Sequence, residues 1–386
     1  MNRKEFVKLC GLFGLSFPVQ SVLTSCVTNR SNFSGKVIVI GAGAAGLSAA
    51  YLLKQQGIEV EVLEANAVHG GRMKRTNTFA DFPIPTGAEW IHTEKSILTE
   101  IVNDSTTKID VPTTPYDLEK DFALIDGERK NLQELGFTID QKFINGTWFD
   151  FFEEYIVPSI QPKIKYNQIV QSIHYETDQI QVTTNDETFI ATKVIVTVPV
   201  QILQRQSIQF IPKLPKSKQD AIDNIIVWNG CKAFIEFSEK FYPAAIGMNT
   251  IPESDGHKLF YDAAYGQNTT KNILGVFAVG PISNLYTKLD DTALIQYILN
   301  ELDAIFDGKA SKNYMQHIFQ NWNTEPHIHG AYVHYFEDWK NIRSLGKSVD
   351  HKLFFAGDAY TDGNEWSSVH AAATSAKRAV TDLLKS

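Results

Sequence analysis

Lys36-Val37-Ile38-Val39-Ile40-Gly41-Ala42-Gly43-Ala44-Ala45-Gly46 is the stretch that decides the fold. Its first five residues, mostly β-branched, have the pattern of a strand buried on both faces of a parallel sheet. The strand runs straight into a glycine-rich turn, and residues 47–56 predict a helix stopped by Gly57. A second short strand, Val60-Glu61-Val62-Leu63, ends at Glu64. In such a β–turn–α–β unit, Gly41 permits the tight turn and Gly43, with Ala45 close by, lets backbone approach a pyrophosphate. Gly46 lets helix and strand pack closely. The helix N-terminus offers N–H groups and a positive dipole end to the phosphates. Glu64 is placed to accept hydrogen bonds from a ribose diol, and an acid there speaks against a 2′-phosphate, hence against NADP. The unit does not separate NAD from FAD.

The 386 residues exceed one typical domain and suggest two intertwined ones. Hydrophobic residues at 43% beside 21% charged residues allow a large core, and no run past the N-terminus is long and apolar enough to span a membrane. The net charge of −8 argues against a nucleic-acid partner and weakly favours cationic small molecules. Cys10, Cys26 and Cys231 are too few for a disulfide framework, so no disulfide is expected.

The start of the chain reads as an export signal. Arg3, Lys4 and Lys8 make a basic beginning, residues 9–17 a short apolar run, and Leu23-Thr24-Ser25-Cys26 looks like a bacterial lipobox. Residues 1–25 are then a signal peptide, Cys26 the lipidation site, and residues 26–35 a tether. The segment Asn2-Arg3-Lys4-Glu5-Phe6-Val7-Lys8 resembles a twin-arginine signal with Lys4 in place of the second arginine, ordinary Sec export being the alternative. Either route gives an exported chain, a periplasmic or cell-surface lipoprotein of a bacterium. Losing residues 1–25, with three basic and one acidic side chain, takes the net charge from −8 to −10.

Downstream segments carry a family resemblance. His69-Gly70-Gly71-Arg72 and Pro85-Thr86-Gly87-Ala88-Glu89-Trp90-Ile91-His92 follow Glu64. Residues 166–173 and 194–199 come next, then Lys232-Ala233-Phe234-Ile235-Glu236-Phe237, Asn321-Trp322 and Gly330-Ala331-Tyr332. Leu353-Phe354-Phe355-Ala356-Gly357-Asp358 and residues 363–380 close the series. In this order they resemble the flavin monoamine and polyamine oxidase family. The resemblance implies a doubly wound, Rossmann-like FAD-binding domain (residues 36–92, 166–212 and 330–386). Interleaved with it would be a mixed-sheet plus helical substrate domain (residues 93–165 and 213–329). It also implies that Gly71, Arg72, Gly87, Ala88, Glu89 and Trp90 hold the pyrophosphate and isoalloxazine. Val170 would contact adenine, Gly357 and Asp358 the ribityl or pyrophosphate region, and Trp322, Ser368 and Val369 the flavin. A positive helix end near Ser368 favours the anionic reduced flavin.

Departures from the family pattern also carry information. Ala331 stands where members with covalent flavin have cysteine, so FAD is expected to be non-covalent. Val369 stands at the second aromatic wall, leaving half a cage. Residues 93–165, expected to hold the substrate-covering helices, are few for the family and suggest an open pocket.

By the same resemblance an amine loses hydride from its α-carbon to flavin N5, the imine hydrolyses to an aldehyde, and oxygen takes the electrons to give hydrogen peroxide. Lys232 is then the candidate for holding water at N5, its plain alternative being an exposed strand lysine. Tyr332 would position the amine by ring contact, or simply fill the core. His92 matches a histidine of polyamine oxidases, a structural histidine being the alternative. His327 and His329 have no third ligand nearby, which excludes a metal site there. Two rivals stay open: a desaturase or isomerase of an apolar substrate on the same fold, and a non-catalytic exported flavoprotein.

Overall fold

The computed structural model describes residues 33–135, 137–248, 251–334, 339–362 and 365–386. The leader, Cys26, most of the tether and Gly363 lie outside the described residues.

The deciding strand, Lys36–Ile40, sits in the middle of a five-stranded sheet. Its order is Leu353–Phe355, Lys193–Val196, Lys36–Ile40, Glu59–Leu63, Ile164–Lys165, with every neighbouring pair parallel. Parallel neighbours need crossovers that cover both faces, which is why these strands read as continuous apolar runs. Val37, Ile38, Val39 and residues 194–196 are fully buried. Helix Ala44–Gln55 and the last helix, Val369–Lys385, cover one face, packing Leu47, Leu53, Ala372, Ala376 and Ala379 into one cluster with Val37 and Val39. The other face, through Ile38, Ile40 and Val194, shares a core with a four-stranded sheet. That sheet runs Thr188–Ala191, Ile180–Thr184, Val170–His174, Gln209–Ile211. A doubly wound α/β fold is thus observed.

The second body is a seven-stranded mixed sheet. Its order is Tyr314–Asn321, Gly230–Phe237, Asn272–Val279, His257–Asp262, Ala245–Gly247, Phe122–Ile125, Glu128–Asn131. Gly230–Phe237 is buried at all positions because strands flank it on both edges and helix Asp291–Phe306 packs on one face. The Asp290 side chain caps that helix by accepting the Ala293 N–H, a contact that stabilises a helix start by about 1 kcal/mol.

Residues 93–165 divide between packing and cavity. Helices Ser96–Val102 and Trp148–Tyr155 bury Ile97, Leu98, Trp148, Phe151 and Phe152 in the cluster beneath the parallel sheet, while Ile125, Phe137 and Asp140 line the cavity described below. Strands Phe122–Ile125 and Glu128–Asn131 extend the mixed sheet, and Ile164–Lys165 edges the parallel one. The reason is the apolar stripe at 148, 151 and 152, which is satisfied only against another apolar face.

Candidate functional site

Gly41 adopts a φ of 99°, a region closed to most side chains, and turns the chain out of the first strand. A Cβ on Gly46 would lie 1.9 Å from the Gly41 carbonyl oxygen, so helix and strand require glycine there. Gly43 differs: a Cβ there would meet nothing within 4 Å. The protein leaves that space open in front of the helix, where the N–H groups of residues 44–46 precede the first helical bond, from Leu47 N to Gly43 O. A glycine required by no protein contact, at a helix N-terminus, fits a bound pyrophosphate. Glu64 is buried and accepts the N–H of Ala42 at 2.7 Å and both the N–H and side-chain amide of Asn66 at 2.9 Å. A carboxylate has about four acceptor positions, so capacity for a ribose hydroxyl remains.

Gly41, Gly43 and Glu64 line a cavity of about 770 Å³ that also includes Val170, Gly71, Arg72, Gly357 and Asp358. Arg72 holds Asp358 with both ends of its guanidinium, at 3.0 and 2.5 Å, and also donates to the Ala331 carbonyl. Gly87 packs where a Cβ would strike the Arg72 carbonyl at 1.9 Å, fixing the segment of residues 85–92 against the arginine. Trp322, buried, donates its indole N–H to the Thr86 carbonyl at 3.2 Å. The last helix begins at Val369, capped by Ser368, whose hydroxyl accepts the Ala371 N–H; both residues face the cavity.

The same cavity is lined by Glu89, Trp90, His92, Lys232, Tyr332, Val369 and His370. Lys232 is buried, not an exposed strand lysine. It donates to Glu89 Oε2 at 2.7 Å and to the Pro85 carbonyl at 3.3 Å, and it lies 5.0 Å from the Trp90 ring centroid. Burial pulls its ammonium below the ordinary lysine range, partly opposed by Glu89. His92 pairs through Nδ1 with Asp140 Oδ1 at 2.9 Å. The expected role of Glu89 divides: it lines the cofactor cavity, but its carboxylate is committed to lysine.

Every expected cavity residue except Gly46 lines this single cavity, and Gly46 serves packing instead. His327 and His329 line it too, and among the described residues no cluster of three or more metal-binding side chains forms. Trp366, Asp140, Phe277 and His370 line the cavity as well and were missed. His370 was findable, being the residue after Val369 on the helix that was expected to meet the flavin. Asp140 carries no local motif, and only the pairing of Ile91 with Gln141 brings it beside His92. Cys231 is a free, buried thiol with its pKa pushed up to about 12 by burial.

A parallel dinucleotide-binding sheet, with its cavity running on beneath a mixed sheet to a buried lysine, defines the class of two-domain dinucleotide-dependent oxidoreductases. Within that class, the chain belongs to the flavin-containing amine oxidoreductase family: the profile described as "Flavin containing amine oxidoreductase" matches residues 152–384. A second profile, for an NAD(P)-binding Rossmann-like domain, matches residues 39–104. The cofactor the family implies, a flavin as FAD, fits the open cradle at Gly43 and the acceptor at Glu64. The chain is 26% identical to a human lysine-specific histone demethylase 2 over 84% of its length and 50% of the relative's. It is 23% identical to a probable polyamine oxidase 4 of Arabidopsis thaliana, over 89% and 86% of the two chains. It spans from about a quarter to about half of the histone demethylases that head the matches. In fold it is similar to a putrescine oxidase triple mutant, with a TM-score of 0.74, 14% identity, and 91% and 99% of the two chains covered.

Proposed function

We propose that the protein oxidises a small-molecule amine with non-covalently held FAD. The observation that carries this is that Lys232, Trp90, Tyr332 and His92 line the same cavity as Gly43 and Glu64. When bound, FAD supplies the hydride acceptor for the carbon beside the amine nitrogen, giving an imine that water converts to an aldehyde, with oxygen as the final acceptor and hydrogen peroxide as its product. The protein's part is to bind, orient and exclude water. Gly41, Gly43, Ala45, Glu64, Arg72 and Asp358 anchor the dinucleotide. Trp90, Phe277, Tyr332 and Trp366 supply apolar and aromatic wall for the carbon chain, and Tyr332 can face an ammonium with its ring. Lys232 fixes a donor at the reacting end. Ala331 packs beside the cavity where a covalent link would need a thiol.

Reconstitution with FAD, followed by a panel of monoamines, diamines and polyamines under air, tests the proposal through peroxide release and anaerobic bleaching. A flavin that binds but is bleached by no amine contradicts it, and bleaching by an apolar unsaturable substrate would instead favour the desaturase.

The location is proposed separately, on the lipobox alone: lipid on Cys26 anchors an exported chain to a bacterial membrane. Cys26→Ala should abolish incorporation of labelled lipid; a wild-type chain that takes up none and stays in the cytoplasm overturns it.

A further inference from the structure

Lys232 is not alone in the core. Glu89, 5% exposed, sits between two lysines: Lys232 (3%) at 2.7 Å on Oε2 and Lys142 (2%) at 3.2 Å on Oε1. The Tyr261 hydroxyl donates to the same Oε2 as Lys232. Lys142 is held from behind by the carbonyls of Asp262 at 3.1 Å and Ala263 at 2.8 Å. Four polar groups from four different segments thus meet where the parallel and mixed bodies touch, and only Glu89 and Lys232 reach the cavity.

Such a cluster is costly to bury, and simple packing would be served as well by apolar side chains. With a neutral Tyr261, its two ammoniums and one carboxylate leave one net positive charge at the wall of the flavin cavity. We propose that Glu89 is the positioning residue of Lys232, holding its ammonium charged and aimed into the cavity, and that Lys142 and Tyr261 hold Glu89. The proposal deepens the flavin amine oxidase reading and rests on it only for the consequence: a fixed positive charge beside a flavin raises its midpoint potential.

The electrostatics agree with the geometry. Burial alone would raise the Glu89 carboxyl, but Lys232 and Lys142 override it and hold it below the usual carboxylate range. For Lys232, burial lowers the pKa, Glu89 raises it, and Lys142 lowers it. The Tyr261 phenol is pushed far up by burial and by Glu89, with Tyr116 behind it adding in the same direction, so neither tyrosine competes for the charge. Remove the carboxylate, and both remaining influences on Lys232 drive it toward the neutral amine.

The test follows the lysine itself. In protein labelled with ¹³C at lysine Cε, the Lys232 resonance is assigned by its absence in Lys232→Met, and its titration is followed with and without FAD. Glu89→Gln should move the midpoint down by about one pH unit or more, and Glu89→Asp by less. In flavin-loaded Glu89→Gln the flavin midpoint potential should acquire an inflection at the same pH, which disappears in Glu89→Gln/Lys232→Met. A merely structural Glu89 would lower the melting temperature and leave the Lys232 titration in place. An unshifted titration overturns the proposal. Should the protein take up no FAD, the flavin reading fails while the lysine titration still decides the role of Glu89. If Glu89→Gln does not fold, Lys142→Met gives the opposite sign: Lys232 should titrate higher, and an unchanged midpoint there overturns the proposal equally.

Discussion

Arg72 and Asp358, 286 positions apart in the chain, meet through both ends of the guanidinium, and the same arginine also reaches the Ala331 carbonyl. One side chain therefore ties the turn after the second strand of the parallel sheet to its last strand and to the segment that carries Tyr332. Two-point arginine–carboxylate pairs fix geometry as well as charge, and this one lines the cavity.

Asp358→Asn should keep the fold and loosen FAD, because Arg72 loses its charged partner and swings from its place. FAD dissociation, followed by flavin fluorescence on apoprotein, should weaken about tenfold, or ~1.4 kcal/mol. Unchanged affinity would show that the pair serves the fold alone.

Glu64→Ala removes the acceptor for the Ala42 N–H and for Asn66 together with the proposed ribose acceptor. A loss of roughly 1–3 kcal/mol is expected in FAD binding. Glu64→Gln keeps one acceptor oxygen and should lose less. Equal FAD affinity in all three proteins would remove Glu64 from the site.

Acid precipitation of the yellow protein should release all of its flavin as FAD. Flavin left in the pellet would contradict the assignment made from Ala331.

Acid should destabilise the protein through its buried histidines. Burial, with His92 acting in the same direction, holds His370 at about 4, and burial alone holds His334 at about 4, against an ordinary 6.5. Above 6.5 both folded and unfolded chains are neutral at these rings and nothing changes. As pH falls from 6.5 toward 4, the unfolded chain takes up protons that the folded chain refuses, so stability is lost across that window. At pH 5.5 the cost is about 1 kcal/mol for a fully buried ring, and less for the half-exposed His334. Melting temperatures between pH 7 and 5 should fall, and fall less steeply in His370→Asn; parallel curves would refute the assignment.

How much of this could be read in advance follows from the range of each signal. The turn from Gly41 to Gly46 was legible because all its constraints lie within a dozen residues, and the strand register then carried Val170, Arg72 and Asp358 into place. The burial of Lys232 was legible only through its flanking apolar residues. Its bond to Glu89 was not, since the two are 143 positions apart and no local pattern joins them. The packing of residues 148–152 was not legible for a related reason: an apolar helix face names no partner until the opposing face is known. Trp366 and Asp140 enter the cavity from two connections whose spatial order no local period encodes.

The last prediction concerns Lys232→Met, which keeps much of the side-chain volume and removes the nitrogen. Glu89 then retains Lys142 and Tyr261, so the fold should survive with a loss of roughly 1–3 kcal/mol. Glu89→Gln/Lys232→Met should lose more, since it leaves the buried Lys142 ammonium without its carboxylate. FAD should still bind, because among the described residues none of its proposed anchors Gly41, Glu64, Arg72 and Asp358 is bonded to Lys232, which holds Glu89 and the Pro85 carbonyl. Turnover should slow by roughly tenfold or more if a positioned donor is lost. Rapid mixing separates the two halves of the reaction: anaerobic bleaching by amine reports substrate oxidation, and recolouring in air reports the return of oxygen to the flavin. A donor that holds water near the flavin makes recolouring suffer most, whereas a group that helps deprotonate the amine makes bleaching suffer most. If both rates match the wild type with FAD fully bound, Lys232 is a core lysine paired for structure alone, and the site must be rebuilt around Trp90, His92 and Tyr332.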